Sequence, residues 1–452
     1  MTPPSFAAVV ERVSERVTPD AAERARLDAA ATALRERAED ALADLDTEAD
    51  VLLVGSTARG TWLAGDRDID VFVRFPPDLP RDRLEAYGLA VGHAVLADGH
   101  EEYAEHPYVK GTFEGFDVDC VPCYDVDSAA DIRSAVDRTP FHTAYVESRL
   151  DDDLAADVRV TKAFLKGIGA YGSDLRTKGF AGYLAELLVL DHGGFRPLVA
   201  AAADWSPPVR FDPEGHGTRS FDDALVVVDP TDPERNVAAS LSESNLARLI
   251  HYSRELLADP RESLFEPRDP DPLDADAVRE RVEARGTHPV AVRFPAPGVV
   301  EDQLYPQLDK SLAGLEGALA RRGFAPLRSA RFADETAVLF VECEVAELPA
   351  VERHEGPPVG VREHATGFFE VYVDDDAVTG PYLDGDRYVV ERPRDHLTPE
   401  SFAASDDLFS VALGPAVERA LDEEYGTLAG AEVAALADEF GTALARYFEP
   451  RV

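Results

Sequence analysis

At 452 residues the chain is too long for one core, and a hydrophobic fraction of 45% can fill several. Its formal net charge of −42, spread through every segment, points to adaptation to concentrated salt rather than to an acidic-tail binder, because molar salt shortens the Debye length to about 3 Å and screens self-repulsion. Three cysteines exclude a disulfide framework, and no segment has the pattern of a secretory signal or the length of a membrane span, so a soluble cytoplasmic protein is expected.

Apolar residues recur at helical spacing from Phe6 to about Leu45. Val51-Leu52-Leu53-Val54 then reads as a buried strand, ended by Gly55, which permits a tight turn, and Ser56, a good helix N-cap. The short helix this opens, through Thr57, Ala58 and Arg59, has unpaired N–H groups suited to a triphosphate. A strand resumes at Asp68-Ile69-Asp70-Val71-Phe72-Val73, where alternation puts Asp68 and Asp70 on one face and Ile69 and Val71 in the core. An isolated Asp-x-Asp in so acidic a chain is usually a solvated strand face. After a strand and a phosphate-cradling turn it suits Mg²⁺ instead, a hard ion that takes carboxylate oxygens and keeps positions for phosphate.

Leu84 to Leu96 reads as a helix between strand pairs, and Phe116 to Pro122 as a strand on which Asp117 and Asp119 share a face. Asp119, beside the apolar Cys120-Val121, is the expected third carboxylate; Asp117, near the Glu114-Gly115 turn, is expected to be exposed. Cys120-x-x-Cys123 is half of a zinc pattern without a second pair, so structural cysteines are expected there. From Asp152 to Leu257 the pattern is mainly helical, with 203–232, rich in Pro, Asp and Gly, expected as loop or short hairpin. The only lysines are Lys110, Lys162, Lys166, Lys178 and Lys310, and three fall between 162 and 178, as retained phosphate contacts would. Pro260 to Pro272 marks the expected linker. Beyond it, strand 289–294, helix 303–322 and strands 327–332 and 337–343 suggest an α+β layer able to face RNA. Strands at Phe368–Tyr372 and Tyr388–Val390 follow, then helices at Pro415–Leu421 and Ala431–Phe448.

Gly55-Ser56, Asp68-x-Asp70 and the distant Asp119 together resemble the polymerase-β-like nucleotidyltransferase superfamily. Tyr103-Ala-Glu-His-Pro-Tyr-Val109, Ser134-Ala-Val-Asp-Arg-Thr-Pro-Phe-His142, Arg235-Asn-Val-Ala-Ala239 and Leu304-Tyr-Pro-Gln307 resemble the archaeal, class I CCA-adding enzymes. The resemblance implies a multidomain α+β protein: a nucleotidyltransferase head with a mixed sheet at 1–142, a helical neck at 143–260, an α+β body at 274–360 and a tail at 361–452. It implies template-independent addition of C, C and A to the 3′ end of tRNA from CTP and ATP, with two Mg²⁺ ions on Asp68, Asp70 and Asp119, in a high-salt archaeal cytoplasm. Asp68 stands where some relatives carry Glu, which keeps the charge and shortens the reach. Ser56, Arg59, Thr139, His142, Lys162 and Tyr171 match positions that contact the triphosphate, and Arg235 matches the position whose guanidinium, with the RNA backbone, presents hydrogen bonds to the incoming base. Body and tail are expected to grip the tRNA acceptor end and TΨC arm, and a homodimer is among the oligomeric states left open. Taken singly, Ser56 could be a plain cap, Arg59 a surface charge, Thr139 a turn-shaping residue before Pro140 and His142 a packed histidine. A poly(A) polymerase and a catalytically silent RNA-binding scaffold are the alternatives.

Overall fold

The computed structural model describes residues 4–103 and 105–452; Ala104, inside the Tyr103–Val109 motif, lies outside them. The chain divides into two units at Arg268/Asp269, within the expected linker.

The first unit begins with α1 (Phe6–Val17), capped by Ser5, and α2 (Ala21–Leu42), started by a capping box between Asp20 and Glu23. Then come β1 (Asp50–Val54), a single turn α3 (Gly55–Ala58), β2 (Asp68–Phe75), α4 (Arg81–Val95), β3 (His100–Tyr103), β4 (Pro107–Phe113) and β5 (Phe116–Tyr124). The five strands form a mixed sheet in the order β1-β2-β5-β4-β3, with β2 and β5 parallel and the other pairs antiparallel. Ile69, Val71 and Val73 of β2 and Val118 and Cys120 of β5 bury one face against Leu34 of α2 and Leu84, Val91 and Val95 of α4. Asp68, Asp70 and Asp119 are thereby left for the other face.

The chain continues through α5 (Thr139–Glu147), α6 (Asp152–Gly167), α7 (Gly182–His192), α8 (Phe195–Ala203), β6 (Val209–Phe211), β7 (Leu225–Asp229), β8 (Asp232–Asn236) and α9 (Glu243–Ala258). Helices α6 to α9 share a core that also takes Val9 and Val13 of α1, so the first helix, expected within the head, packs with the neck. The stretch expected as loop or short hairpin contains more order than that. β6, β7 and β8 make a three-stranded sheet whose middle strand is wholly buried, since Leu225-Val226-Val227-Val228 supplies apolar side chains to both faces.

In the second unit, α10 (Ala275–Arg285) precedes β9 (His288–Pro295), α11 (Glu301–Arg322), β10 (Pro326–Ala333), β11 (Thr336–Cys343) and β12 (Val351–Pro358). After these come α12 (Arg362–Tyr372), β13 (Thr379–Asp384), β14 (Arg387–Pro393), α13 (Pro399–Ala403), α14 (Pro415–Glu423), β15 (Gly426–Ala429) and α15 (Ala437–Phe448). An antiparallel sheet in the order β10-β11-β9-β15 has two apolar faces. Leu339 and Val341 join α11 and α14 on one side, while Val338 and Phe340 join α10 and α15 on the other. The expected boundary at 360 falls between β12 and the α12 helix that packs on it, and β15, from the expected tail, pairs with β9 of the expected body. Residues 368–372, expected as a strand, lie in α12.

Candidate active site

Parallel pairing of β2 with β5 sets Asp68 opposite Asp117 and Asp70 opposite Asp119, so all four carboxylates rise from the same face. Asp68 and Asp117 are exposed, as expected for Asp117, whereas Asp70 and Asp119 are half-buried. Burial, then the negative charges of Asp119 and Asp68, push the Asp70 carboxyl up to about 6, against the pull of Arg59 and Lys110. Asp119 is also held above the usual carboxylate range, mainly by burial, and so is Asp68, by the partial desolvation of its still solvent-reached carboxyl and then by the charges of Asp66, Asp117 and Asp119. Gly55 makes room for this arrangement. Its φ is +79°, and a Cβ there would lie 1.9 Å from Oδ2 of Asp70. The short helix has its N-cap at Val54, without a side-chain cap, so Ser56 sits inside the turn and is not the expected cap.

Lys110 faces Asp119 across β4 and β5, with Nζ 3.3 Å from Oδ1. Burial works against its charge, yet Asp119, Glu102 and Asp68 raise its pKa overall. Among the described residues no three His, Cys, Asp or Glu side chains converge closely enough to hold an ion as they stand, and Asp119 leans on Lys110. The donor chemistry nevertheless fits a hard divalent cation. Hard oxygens of three crowded carboxylates, each held toward its protonated form, are groups that a cation would return to the charged state.

Beside the carboxylates lies a buried ionic cluster. Glu186, inside the apolar α7, accepts from Oγ1 of Thr61 at 2.5 Å and from Nζ of Lys162 at 3.4 Å. Its Oε2 sits 3.0 Å from Nε of Arg59, close enough for an ion pair though outside hydrogen-bond geometry. Arg59 also donates from Nη1 to Oγ1 of Thr143 on α5 at 3.1 Å. Lys162 is buried and donates to Thr61 O and Oγ1, both at 3.1 Å, and burial lowers its pKa. Lys166, one turn on, pairs with Asp66 at 3.0 Å and sits over the ring of Tyr171. Burial and then Asp66 push the Tyr171 phenol well above its ordinary value.

A second cluster centres on Asp229, fully buried at the end of β7. Its Oδ2 meets Nε2 of His142 at 2.8 Å and accepts from Nη1 of Arg235 at 2.7 Å; its Oδ1 accepts from the backbone N and Oγ1 of Thr231, each at 2.9 Å. Though burial opposes its charge, these partners, His142 foremost, hold the Asp229 carboxyl far below the usual range. His142 stacks on Tyr183 with 4.0 Å between ring centroids. Thr139 is half-buried in the first turn of α5, one turn before His142 and Thr143.

The ten expected site residues thus fall on one unit: Asp68, Asp70 and Asp119 together, Arg59 and Lys162 joined through Glu186, and His142 and Arg235 joined through Asp229. Sequence reading missed Glu186, Asp229, Tyr183 and the pairing of Lys110 with Asp119. Signals existed for three of them: a lone Glu in Leu184-Ala185-Glu186-Leu187-Leu188, an Asp ending the run Leu225–Val228, and one of only five lysines. The cysteines are free and buried, with thiols pushed up by burial, Cys120 and Cys343 to about 12; Cys120 and Cys123, an odd number of residues apart on β5, face opposite sides and do not share a metal.

Comparison with known proteins places the chain in a lineage. The chain is 60% identical over 461 residues to a CCA-adding enzyme of Haloarcula marismortui, covering 99% of each chain. It is 40% identical to a CCA-adding enzyme of Methanosarcina barkeri, covering 94% of each. The chain belongs to the CCA-adding enzyme family. Models described as nucleotidyltransferase domain, tRNA nucleotidyltransferase second domain, and CCA-adding enzyme C-terminal domain match residues 35–142, 156–266 and 285–430 of this CCA-adding family member. A CCA-adding enzyme of Halobacterium salinarum, also 60% identical, covers 98% of this chain, so strongly similar relatives come from halophilic archaea. Among solved structures, the Cid1 poly(U) polymerase is similar at 15% identity with a TM-score of 0.45, covering 58% of this chain and 99% of its own. No helix among the described residues is long and apolar enough to cross a membrane.

Proposed function

We propose that this chain adds C, C and A in turn to the 3′ end of tRNA, from CTP and ATP, in a salt-rich cytoplasm. The observation that carries the reading is the register of Asp70 with Asp119, beside Asp68 and over Gly55, in a chain related along its whole length to CCA-adding enzymes. Two Mg²⁺ ions held by Asp68, Asp70 and Asp119 would supply charge neutralisation for the triphosphate and a lowered pKa for the attacking hydroxyl. Asp119, released from Lys110, takes the proton of the tRNA 3′-hydroxyl. The 3′ oxygen bonds to the α-phosphorus, the bond from that phosphorus to the β-phosphate bridging oxygen breaks, and pyrophosphate leaves with the electron pair. Ser56, Arg59, Thr139, His142, Lys162 and Tyr171 bind and orient the triphosphate, and Arg235 meets the base. The second unit is read as the grip on the tRNA acceptor end and TΨC arm, and a homodimer is one form in which the enzyme would work.

The test is incorporation of labelled CTP and ATP into tRNAs ending before CCA, after the first C and after the second C, in molar KCl with Mg²⁺. Ordered addition that stops after A is expected. Long A tails would mean a poly(A) polymerase, and no incorporation at any salt concentration would mean a silent RNA-binding scaffold. Asp119→Ala should abolish incorporation and retain tRNA binding; unchanged incorporation would reject the carboxylate assignment.

A further inference from the structure

Asp229 is surrounded by groups that donate. Arg235 has no acceptor, the backbone N of Thr231 only donates, and the Oγ1 of Thr231 and the Nε2 of His142 complete the set on the two carboxylate oxygens. Its own carbonyl is also engaged, 2.9 Å from Nε2 of His216. A fully buried carboxylate with every oxygen occupied is a fixed point, and the two functional side chains it touches come from different elements, α5 and β8.

The consequence concerns the free end of Arg235. With Nη1 tethered to Asp229 at 2.7 Å, the planar guanidinium is restricted in how it turns, and its remaining N–H groups form an edge of donors only. Such an edge matches bases whose Watson–Crick edge offers an acceptor at the ring nitrogen, as cytosine and adenine do. Uracil and guanine carry an N–H at that position and oppose it. His142, held by the same oxygen, fixes the other end of the nucleotide relative to that edge.

Resting on the nucleotidyltransferase reading above, we infer that Asp229 is the positioning residue that locks Arg235 and His142 in one spacing and so excludes UTP and GTP from the site. It acts through those two side chains. Asp229→Asn keeps the shape but not the role. Whichever way the amide turns, its NH₂ faces a donor, either Arg235 or the backbone N–H of Thr231.

The experiment compares kcat/KM for CTP and UTP on tRNA lacking CCA, for the wild-type chain and Asp229→Asn, in molar KCl with Mg²⁺. The CTP preference is expected to fall by about 10- to 100-fold, the loss typical of a hydrogen bond to a charged group, with tRNA affinity unchanged. A double-mutant cycle supplies a readout that mere destabilisation would not move. Once Arg235→Ala has relaxed base choice, adding Asp229→Asn should relax it no further. A folded Asp229→Asn that keeps the wild-type CTP preference overturns the inference, as does full additivity of the two changes. Should Asp229→Asn fail to fold, Thr231→Val, which removes one hydroxyl from Oδ1, carries the test: a few-fold loss of preference supports the role and none overturns it. Calorimetric binding of CTP and UTP to the protein–tRNA complex makes the same comparison without turnover. A wild-type chain that adds no CCA refutes the proposed function, whereas normal addition with undisturbed discrimination in the variants refutes only the role of Asp229.

Discussion

At Gly55 a single hydrogen atom decides whether Asp70 occupies its place. Gly55→Ala would force a side chain into positive φ, costing about 1–3 kcal/mol, and would push the Asp70 carboxylate aside. Because misplacement by about 1 Å can cost on the order of 100-fold in rate, single-turnover incorporation should fall by at least that factor while the unfolding midpoint moves modestly. Asp70 itself carries a pH signature. Its carboxyl stands at about 6 in the folded chain against an ordinary 3.8, so between those values the folded state holds the extra proton. The associated stability is therefore complete below the ordinary range and lost as pH rises through 6. Asp70→Asn should stabilise the metal-free protein by about 1–3 kcal/mol at neutral pH, with the gain fading as pH falls toward 4. Thermal unfolding in chelator across that range checks it, and a gain that grew on acidification would contradict it. The carboxylates themselves were legible because strand alternation is a short-range rule; Asp229 and Glu186 stood out only as lone acids in apolar runs, and what they do lies in partners from other elements.

Elements in the first unit are pinned by Glu186, which ties α7 to Lys162 of α6 and to Arg59 and Thr61 around α3. Glu186→Ala would strand two buried cations, and the expected loss is about 3–5 kcal/mol in urea unfolding at fixed molar KCl. Lys162→Met should cost clearly less, since Arg59 still neutralises the carboxylate; equal losses would make Lys162 the pin instead. Long periodic elements and the β–α–β–β order of the second unit could be read directly from apolar spacing, whereas the one expected cap, Ser56, lies inside its turn. Residues 368–372 could not. Phe368-Phe369-Glu370-Val371-Tyr372 has strand-forming composition, but Ala365, Phe368 and Tyr372 recur at helical spacing and Ala365 is buried, so a window opened at Arg362 shows the helix. The 203–232 stretch misled for the opposite reason, as its Pro and Gly residues flank a short, fully buried strand.

For the whole molecule, 87 acidic against 45 basic side chains make salt part of the folding problem. Self-repulsion falls as the Debye length shrinks, so the unfolding midpoint should rise steadily as KCl is raised to molar levels. The same charge alters how a polyanion can be bound. A basic protein gains affinity by releasing the counterions condensed on nucleic acid, and it loses that gain as salt rises, with a slope of roughly 0.7–0.9 per phosphate neutralised. Wherever the RNA-binding face carries carboxylates, their own potassium atmosphere must be kept or enlarged as RNA approaches, which offsets the release. Affinity then has to come from shape, stacking and local cationic pockets, contacts that salt weakens little. Measured by titration from about 0.5 to 3 M KCl, the logarithm of tRNA affinity should therefore change with a slope well below that of several neutralised phosphates. A steep, linear loss over the same range would show that counterion release still dominates, and that the acidic surface has been excluded from the RNA-binding face.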